Sequence, residues 1–215
     1  MLIGLQHRFI FVANTKSAST AIESALRPYA EIHHGGTPAR KHIALHAALR
    51  EYADLFARHG MATEDFFKFG VMREPIDWIA SWFRYRKEGR VDNPLPAGMR
   101  FEEFWHRHDW NFTRSDGRRS LQGPRFTARD GRVLADVIIP YHRLEEFFPV
   151  ICAQLHLNVR LERHNVSAHT PETVKIPPWL RAELRDFYAE DYALFERLEA
   201  INTAGLARLA ERASA

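Results

Sequence analysis

Two stretches of the chain are apolar almost without a break, and each gives way to a short polar loop before a helical pattern begins. Residues 8 to 14, Arg8-Phe9-Ile10-Phe11-Val12-Ala13-Asn14, and residues Phe66 to Met72 lack the strict alternation of a half-exposed strand. Such runs predict strands buried on both faces, as in a parallel sheet. Residues 19 to 27 follow the first strand as a helix. From Ile43 to about Arg58, the apolar positions Ile43, Ala47, Leu49, Ala53, Leu55 and Phe56 predict one amphipathic helix ending near Gly60. Pro75 stands where a first helical residue would, opening the segment Ile76 to Phe83. Val133 to Pro140 predicts another strand and Leu144 to Leu155 another helix. From Pro178 onward the spacing of Leu180, Leu184, Phe187, Tyr192 and Phe195 predicts further helices.

A strand-loop-helix unit repeated in this way implies right-handed crossovers and an α/β fold with a central parallel sheet flanked by helices. The loops at 14 to 19 and 72 to 77 then lie at one edge of that sheet, outside the C-terminal strand ends where ligands bind. Residues 88 to 132 differ in character, with Pro94, Pro96, several glycines, two tryptophans and a run of arginines. They predict an irregular basic and aromatic excursion over the sheet edge, with a short helix near Phe101 to His108 and a turn at Asp130-Gly131. A length of 215 residues, 46% of them hydrophobic, suits a single domain over residues 1–215.

Charge adds a mild bias. Thirty basic against 27 acidic residues leave a net +3, which favours anionic ligands without singling out nucleic acid. Cys152 is the sole cysteine, so neither an internal disulfide nor a cysteine-based zinc site is available. The first seven residues lack a basic segment followed by a long apolar one, and no run of about 18 apolar residues occurs. These features lead to the expectation of a soluble cytoplasmic protein with no membrane span.

The first loop, Asn14-Thr15-Lys16-Ser17-Ala18-Ser19-Thr20, suits an anion. A chain crossing from strand to helix points unpaired N–H groups at one spot, the helix dipole adds positive potential, and Lys16, Ser17, Ser19 and Thr20 supply further donors. A nucleoside-triphosphate loop of the form G-x-x-x-x-G-K-[ST] would match Lys16-Ser17 at its end, but Ile10 and Thr15 replace both glycines. A plain helix cap is the competing reading of the loop. The second loop, Met72-Arg73-Glu74-Pro75, places Arg73 at a strand end and Ser81 two turns into the next helix. Arg73 turned back over that helix can hold a second phosphate together with the Ser81 hydroxyl.

The pair TKSAST-AIESAL and VMREPIDWIASWFRYR resembles the two nucleotide-binding signatures of sulfotransferases that use 3'-phosphoadenosine 5'-phosphosulfate (PAPS), most closely the carbohydrate branch acting on heparan, dermatan or chondroitin. Asp136 to Phe147, Arg163 to Ser167 and Tyr188 to Phe195 follow in the order of that family's C-terminal pattern. The resemblance implies a P-loop-like three-layer fold and transfer of a sulfonate from PAPS, as co-substrate, to an acceptor hydroxyl. By position, Lys16, Ser17, Ala18, Ser19 and Thr20 would bind the 5'-phosphosulfate, and Arg73 with Ser81 the 3'-phosphate. Lys16 would also stabilise the leaving group. Thr15 and Ala18 depart from the family, which commonly has Pro before the Lys and often Gly after it; Ala18 permits close approach where its φ is negative. No metal enters this scheme.

A base must take the hydroxyl proton, and histidine suits that near neutral pH. Among twelve histidines His42 is favoured, at the start of the helix between the two signatures, where the family often places a catalytic His or Glu. His46 comes second, then His33, His34 and Glu31. His42 as a simple helix start is the competing reading, and Lys41 is a possible assistant to Lys16. Arg118, Arg119 and Arg125, with Gln122 nearby, either line an acidic acceptor or form a solvated basic loop. Trp82, Trp105 and Trp110 either stack on a sugar or belong to the core. Asn165 and Ser167 fall near the expected nucleotide. The expected acceptor is a small molecule or a carbohydrate, its identity not being legible in the chain, with a sugar, a lipid headgroup, a small metabolite or a peptide tyrosine all open; nucleic acid is not expected as a partner. A P-loop-like small-molecule kinase and a non-catalytic phosphate- or nucleic-acid-binding protein remain the alternatives.

Overall fold

The computed structural model describes residues 1–89, 91, 94–108, 120–161 and 174–214. Its centre is a sheet of five strands: β1 (Leu2–Gly4), β2 (Phe9–Val12), β3 (Ile32–His33), β4 (Phe67–Met72) and β5 (Val137–Pro140), in the order β3-β1-β2-β4-β5. β2, β4 and β5 are parallel, with Val12 opposite Gly70 and Val71 opposite Ile139. β1 is antiparallel to both β2 and β3. The sheet is thus mixed, which corrects the all-parallel expectation. The physical reason is the connection from Gly4 to Phe9, far shorter than a crossover needs, so the chain must turn back on itself.

Helices cover both faces: α1 (Ser19–Leu26), α2 (Pro38–Lys41), α3 (Leu45–Glu51), α4 (Ala53–Arg58), α5 (Pro75–Lys87), α6 (Phe101–His106), α7 (Leu144–Gln154), α8 (Pro178–Phe187), α9 (Ala189–Phe195) and α10 (Leu198–Ser214). Alternate strand residues divide the core. Phe9, Phe11, Phe69, Val71 and Ile139 pack with Ile22 and Leu26 of α1 and Phe148 and Ile151 of α7. Ile10, Val12 and Ile138 pack on the other face with Leu45, Ala48 and Phe56 of α3 and α4. Each such buried side chain contributes roughly 1.5–3 kcal/mol of hydrophobic stabilisation, so a strand slipped by one residue is strongly disfavoured.

α10 closes the β5 edge. Asn202 Nδ2 donates to the Ile138 carbonyl at 2.9 Å and its Oδ1 accepts the Ile138 N–H at 2.8 Å, as a neighbouring strand would. Gly205 lets the helix come this close, since a Cβ there would lie 1.9 Å from the Asp136 carbonyl oxygen. The single helix expected from Ile43 to Arg58 is instead α3 and α4, broken at Tyr52, whose backbone leaves the helical region at φ −101° and ψ 3°. The strand expected from Val133 begins at Val137; Val133 makes only an isolated bridge to Thr127. The short helix at 101–106 and the turn at Gly131, with φ 83°, fall where expected. α5, α6 and α8 share a third apolar cluster that includes Trp78, Phe83, Phe104, Trp105 and Tyr188.

Candidate functional site

Because β2 and β4 are parallel neighbours in register, the loops that leave their C-terminal ends emerge side by side. The first loop is held from within. Ser17 Oγ donates to the Asn14 carbonyl at 2.9 Å, and Trp78 of α5 donates its indole N–H to the Thr15 carbonyl at 2.9 Å. Asn14, 1% exposed, donates through Nδ2 to the Val71 carbonyl at 3.1 Å and to Gln122 Oε1 at 2.9 Å. These ties hold two residues in the left-handed region, Lys16 at φ 57° and Ala18 at φ 59°. Ala18 therefore lacks the negative φ on which its close approach was to rest. Each left-handed non-glycine residue costs about 1–3 kcal/mol, and such strain concentrates at ligand-binding segments.

Ala18 precedes α1, which among the described residues has no side-chain cap and no acid in its first turn. The first N–H groups of the helix thus lack an internal acceptor and offer positive potential. Ser19 is buried in that first turn. Ser17 is buried, and its hydroxyl proton is committed to the Asn14 carbonyl. Thr20 Oγ1 accepts from Lys41 Nζ at 3.4 Å, and Lys41 also pairs with Glu23 at 2.8 Å. Lys41 is thereby bound to α1, which weakens its reading as an assistant to Lys16.

The Lys16 ammonium sits 3.6 Å from the centre of the Tyr85 ring and 5.6 Å from that of Trp82. Burial lowers its pKa to about 8, with Glu88 opposing and the charges of Arg73 and Arg84 adding to the shift. Arg84 is lowered in turn by burial and by Arg73. The three cations are thus within electrostatic reach of one another, with Glu88 and Asp77 partly offsetting their charge. Arg73 lies with its guanidinium 4.5 Å from the centre of the Tyr141 ring at the end of β5. Among the described residues its Nε is buried with no hydrogen-bond partner. Ser81 is partly buried on α5, three residues before Arg84 and so on the same face of that helix. No hydrogen bond between Arg73 and Ser81 is formed in this arrangement.

His42 lies beside the same strand end. Its Nδ1 is 2.8 Å from the Ala13 carbonyl, and since a carbonyl only accepts, Nδ1 carries the proton and Nε2 keeps its lone pair. Burial lowers its pKa despite this bond, with Arg125 and Lys41 adding to the shift, which favours the neutral ring. Arg125 donates to the His42 carbonyl, tying the basic segment to the site. The other candidates are placed differently. His34 is engaged at both nitrogens, by the Arg40 carbonyl at 2.6 Å and Glu51 at 3.2 Å. His33 faces the Ala30 carbonyl, Glu31 accepts the Leu5 N–H, and His46 Nδ1 lies 3.3 Å from the Thr127 carbonyl. Trp105 is 2% exposed and bonded to Glu183, a core residue rather than a sugar platform. Trp110, Arg118, Arg119, Asn165 and Ser167 lie outside the described residues.

Gln122 is central to the site, although the sequence marked it only as a neighbour of the arginines. It is fully buried, its Oε1 accepts from Asn14 and from the Arg73 N–H at 3.0 Å, and its Nε2 donates to the Arg73 carbonyl at 2.8 Å. Asp191 of α9 anchors that segment by accepting the N–H groups of Gln122 and Gly123 at 2.9 and 2.8 Å. Burial nevertheless raises the Asp191 pKa to about 6. Among the described residues no group of three His, Cys, Asp or Glu side chains could hold a metal ion, and no helix is long and apolar enough to cross a membrane. Compared with family models, curated proteins and solved structures, the chain finds no match.

Proposed function

We propose that this chain is a sulfotransferase of P-loop-like architecture, moving a sulfonate from PAPS to an acceptor hydroxyl of a small molecule or carbohydrate. The observation that carries the reading is the pairing of an open helix N-terminus, entered past Lys16 after β2, with Arg73 at the end of the adjacent parallel strand β4 and Arg84 on the helix that follows. One end suits a phosphate held by backbone N–H groups, and the other a phosphate held by guanidinium. The residues fit a nucleotide charged at both ends: strained Lys16 and Ala18 shape the first cradle, and the buried Arg73 Nε, which has no hydrogen-bond partner among the described residues, can take an acceptor at the second.

Bound there, the nucleotide supplies an activated sulfonate, and its 5'-phosphate becomes the leaving group. The N–H groups of α1 and the Lys16 ammonium hold the charge that grows on the leaving oxygen, in the manner of other preorganised anion sites. Arg73, with Ser81, fixes the 3'-phosphate. His42 Nε2 takes the acceptor's hydroxyl proton, and the Nδ1–H bond to Ala13 keeps the ring in the required tautomer. Calorimetry of adenosine 3',5'-bisphosphate in a chelator, against ATP with magnesium, tests the reading. Metal-independent preference for the bisphosphate supports it, whereas preference for magnesium ATP would favour a kinase and overturn it. His42→Ala is expected to abolish turnover while bisphosphate affinity stays within about threefold, and unchanged turnover would remove His42 as the base.

A further inference from the structure

The two strand ends belong to different crossover units, joined directly by the Asn14 Nδ2 bond to the Val71 carbonyl at 3.1 Å and the Trp78 indole bond to the Thr15 carbonyl at 2.9 Å. Gln122 belongs to neither loop and bonds to both. Its carbonyl oxygen spends both lone pairs, one on Asn14 Nδ2 at 2.9 Å and one on the Arg73 N–H at 3.0 Å. Its amide nitrogen donates to the Arg73 carbonyl at 2.8 Å, so the Arg73 peptide is gripped on both sides as a strand would grip it. The backbone behind it is fixed by Asp191, and a Cβ on Gly123 would already lie 3.2 Å from that carboxylate. Phe126, three residues on from Gly123, packs so closely over β4 that a Cβ on Gly70 would meet its ring at 2.6 Å.

We infer that Gln122 is a positioning residue that sets the spacing between the Lys16 and Arg73 anion sites, and thereby selects a nucleotide phosphorylated at both ends over one phosphorylated at either end. This rests on the proposed function. The chemistry explains why glutamine is needed. A glutamate of the same length would oppose the Arg73 carbonyl with a second acceptor, and a methionine would leave Asn14 Nδ2 short of one acceptor and the Arg73 peptide without its partners. Neither loop would lose its own anion donors. What would be lost is the tie from Asn14 to the Arg73 backbone, which with the Asn14–Val71 and Trp78–Thr15 bonds holds the separation on which simultaneous engagement of two phosphates depends.

The test measures dissociation constants of adenosine 3',5'-bisphosphate, 5'-AMP and 3'-AMP for wild type, Gln122→Met and Gln122→Glu, beside their melting curves. In wild type the bisphosphate binds more tightly than either monophosphate. Gln122→Met is expected to weaken the bisphosphate at least tenfold while each monophosphate changes less than threefold, so that the selectivity ratio collapses. A residue that only supports the fold would lower the melting temperature and leave the ratio intact, and that result overturns the inference alone. Should the methionine variant not fold, the isosteric glutamate decides. Ionised at pH 8 it gives no donor toward the Arg73 carbonyl, so its selectivity ratio at that pH is expected to fall at least tenfold against wild type. A ratio equal to that of wild type overturns the inference. Absence of any bisphosphate preference in wild type overturns the parent reading and this inference together.

Discussion

α1 and α5 both begin where a parallel strand ends, yet they treat their N-termini in opposite ways. α5 closes itself: Pro75 occupies its first position, Glu74 accepts the Asp77 N–H at 2.7 Å, and Asp77 adds a carboxylate to the first turn. Tyr192 donates to the other oxygen of Glu74, which further fixes that cap. α1 has neither a side-chain cap nor a first-turn acid among the described residues, and it is entered through left-handed Lys16 and Ala18. The difference teaches where an external anion can find backbone donors. At α1 the dipole and the N–H groups are available, whereas at α5 a carboxylate already occupies the position. Under the proposed function an anion near α5 is held by side chains, with Arg73, Arg84 and Ser81 the candidates.

The strongest way to break the contrast is to remove the cation at the open end. Lys16→Ala is expected to lower turnover by about two to three orders of magnitude, as loss of a preorganised charge at a leaving group does, and steady-state kinetics on a working acceptor would measure it. A loss under threefold would deny Lys16 its role. At the capped end, Arg73→Ala is expected to weaken adenosine 3',5'-bisphosphate at least tenfold, measured by calorimetry, because a charge-assisted bond is worth roughly 1.5–3 kcal/mol. Next comes pH. Free Lys16 titrates at about 8, and the anion binds its charged form. Affinity is therefore expected to fall as pH rises above 8, by up to about tenfold per unit, with proton uptake on binding; Lys16→Arg should flatten the profile.

A subtler test concerns the anchor beneath Gln122. Asp191 has a folded-state pKa of about 6, raised by burial above its ordinary value of 3.8. The folded chain thus holds this proton more tightly than the unfolded one, so the contribution is full below pH 3.8 and is lost as pH rises through 6. Melting curves at pH 4 and pH 7 should show wild type losing stability relative to Asp191→Asn over that interval, and an opposite slope would contradict the assignment. Smallest of all, Ala18→Gly relieves one left-handed alanine. It is expected to stabilise the fold by about 1 kcal/mol without weakening bisphosphate binding, as thermal melts would register.

Much of this was legible in the sequence because burial leaves a periodic mark. The uninterrupted apolar runs located β2 and β4, Pro75 located the start of α5, and the polar interruptions placed both loops at one sheet edge. The antiparallel β1 left no such mark, since three residues are too few to show a period. The break at Tyr52 was hidden because an apolar helical pattern continues across it. Lys16 and Ala18 gave no warning of left-handed geometry, as neither is the glycine that usually announces it. Gln122 and Asp191 are ordinary residues in sequence, and their importance comes from contacts 49 to 108 positions away in the chain.

The central claim is a division of labour, with the open end of α1 and Lys16 taking a 5'-phosphate and Arg73 on the capped side taking a 3'-phosphate. Binding of 5'-AMP and 3'-AMP to Lys16→Ala and Arg73→Ala tests it most directly. The expected pattern is crossed: Lys16→Ala weakens 5'-AMP and spares 3'-AMP, and Arg73→Ala does the reverse. If both substitutions weaken both monophosphates by the same factor, the two strand ends form one undivided anion site and the account is wrong.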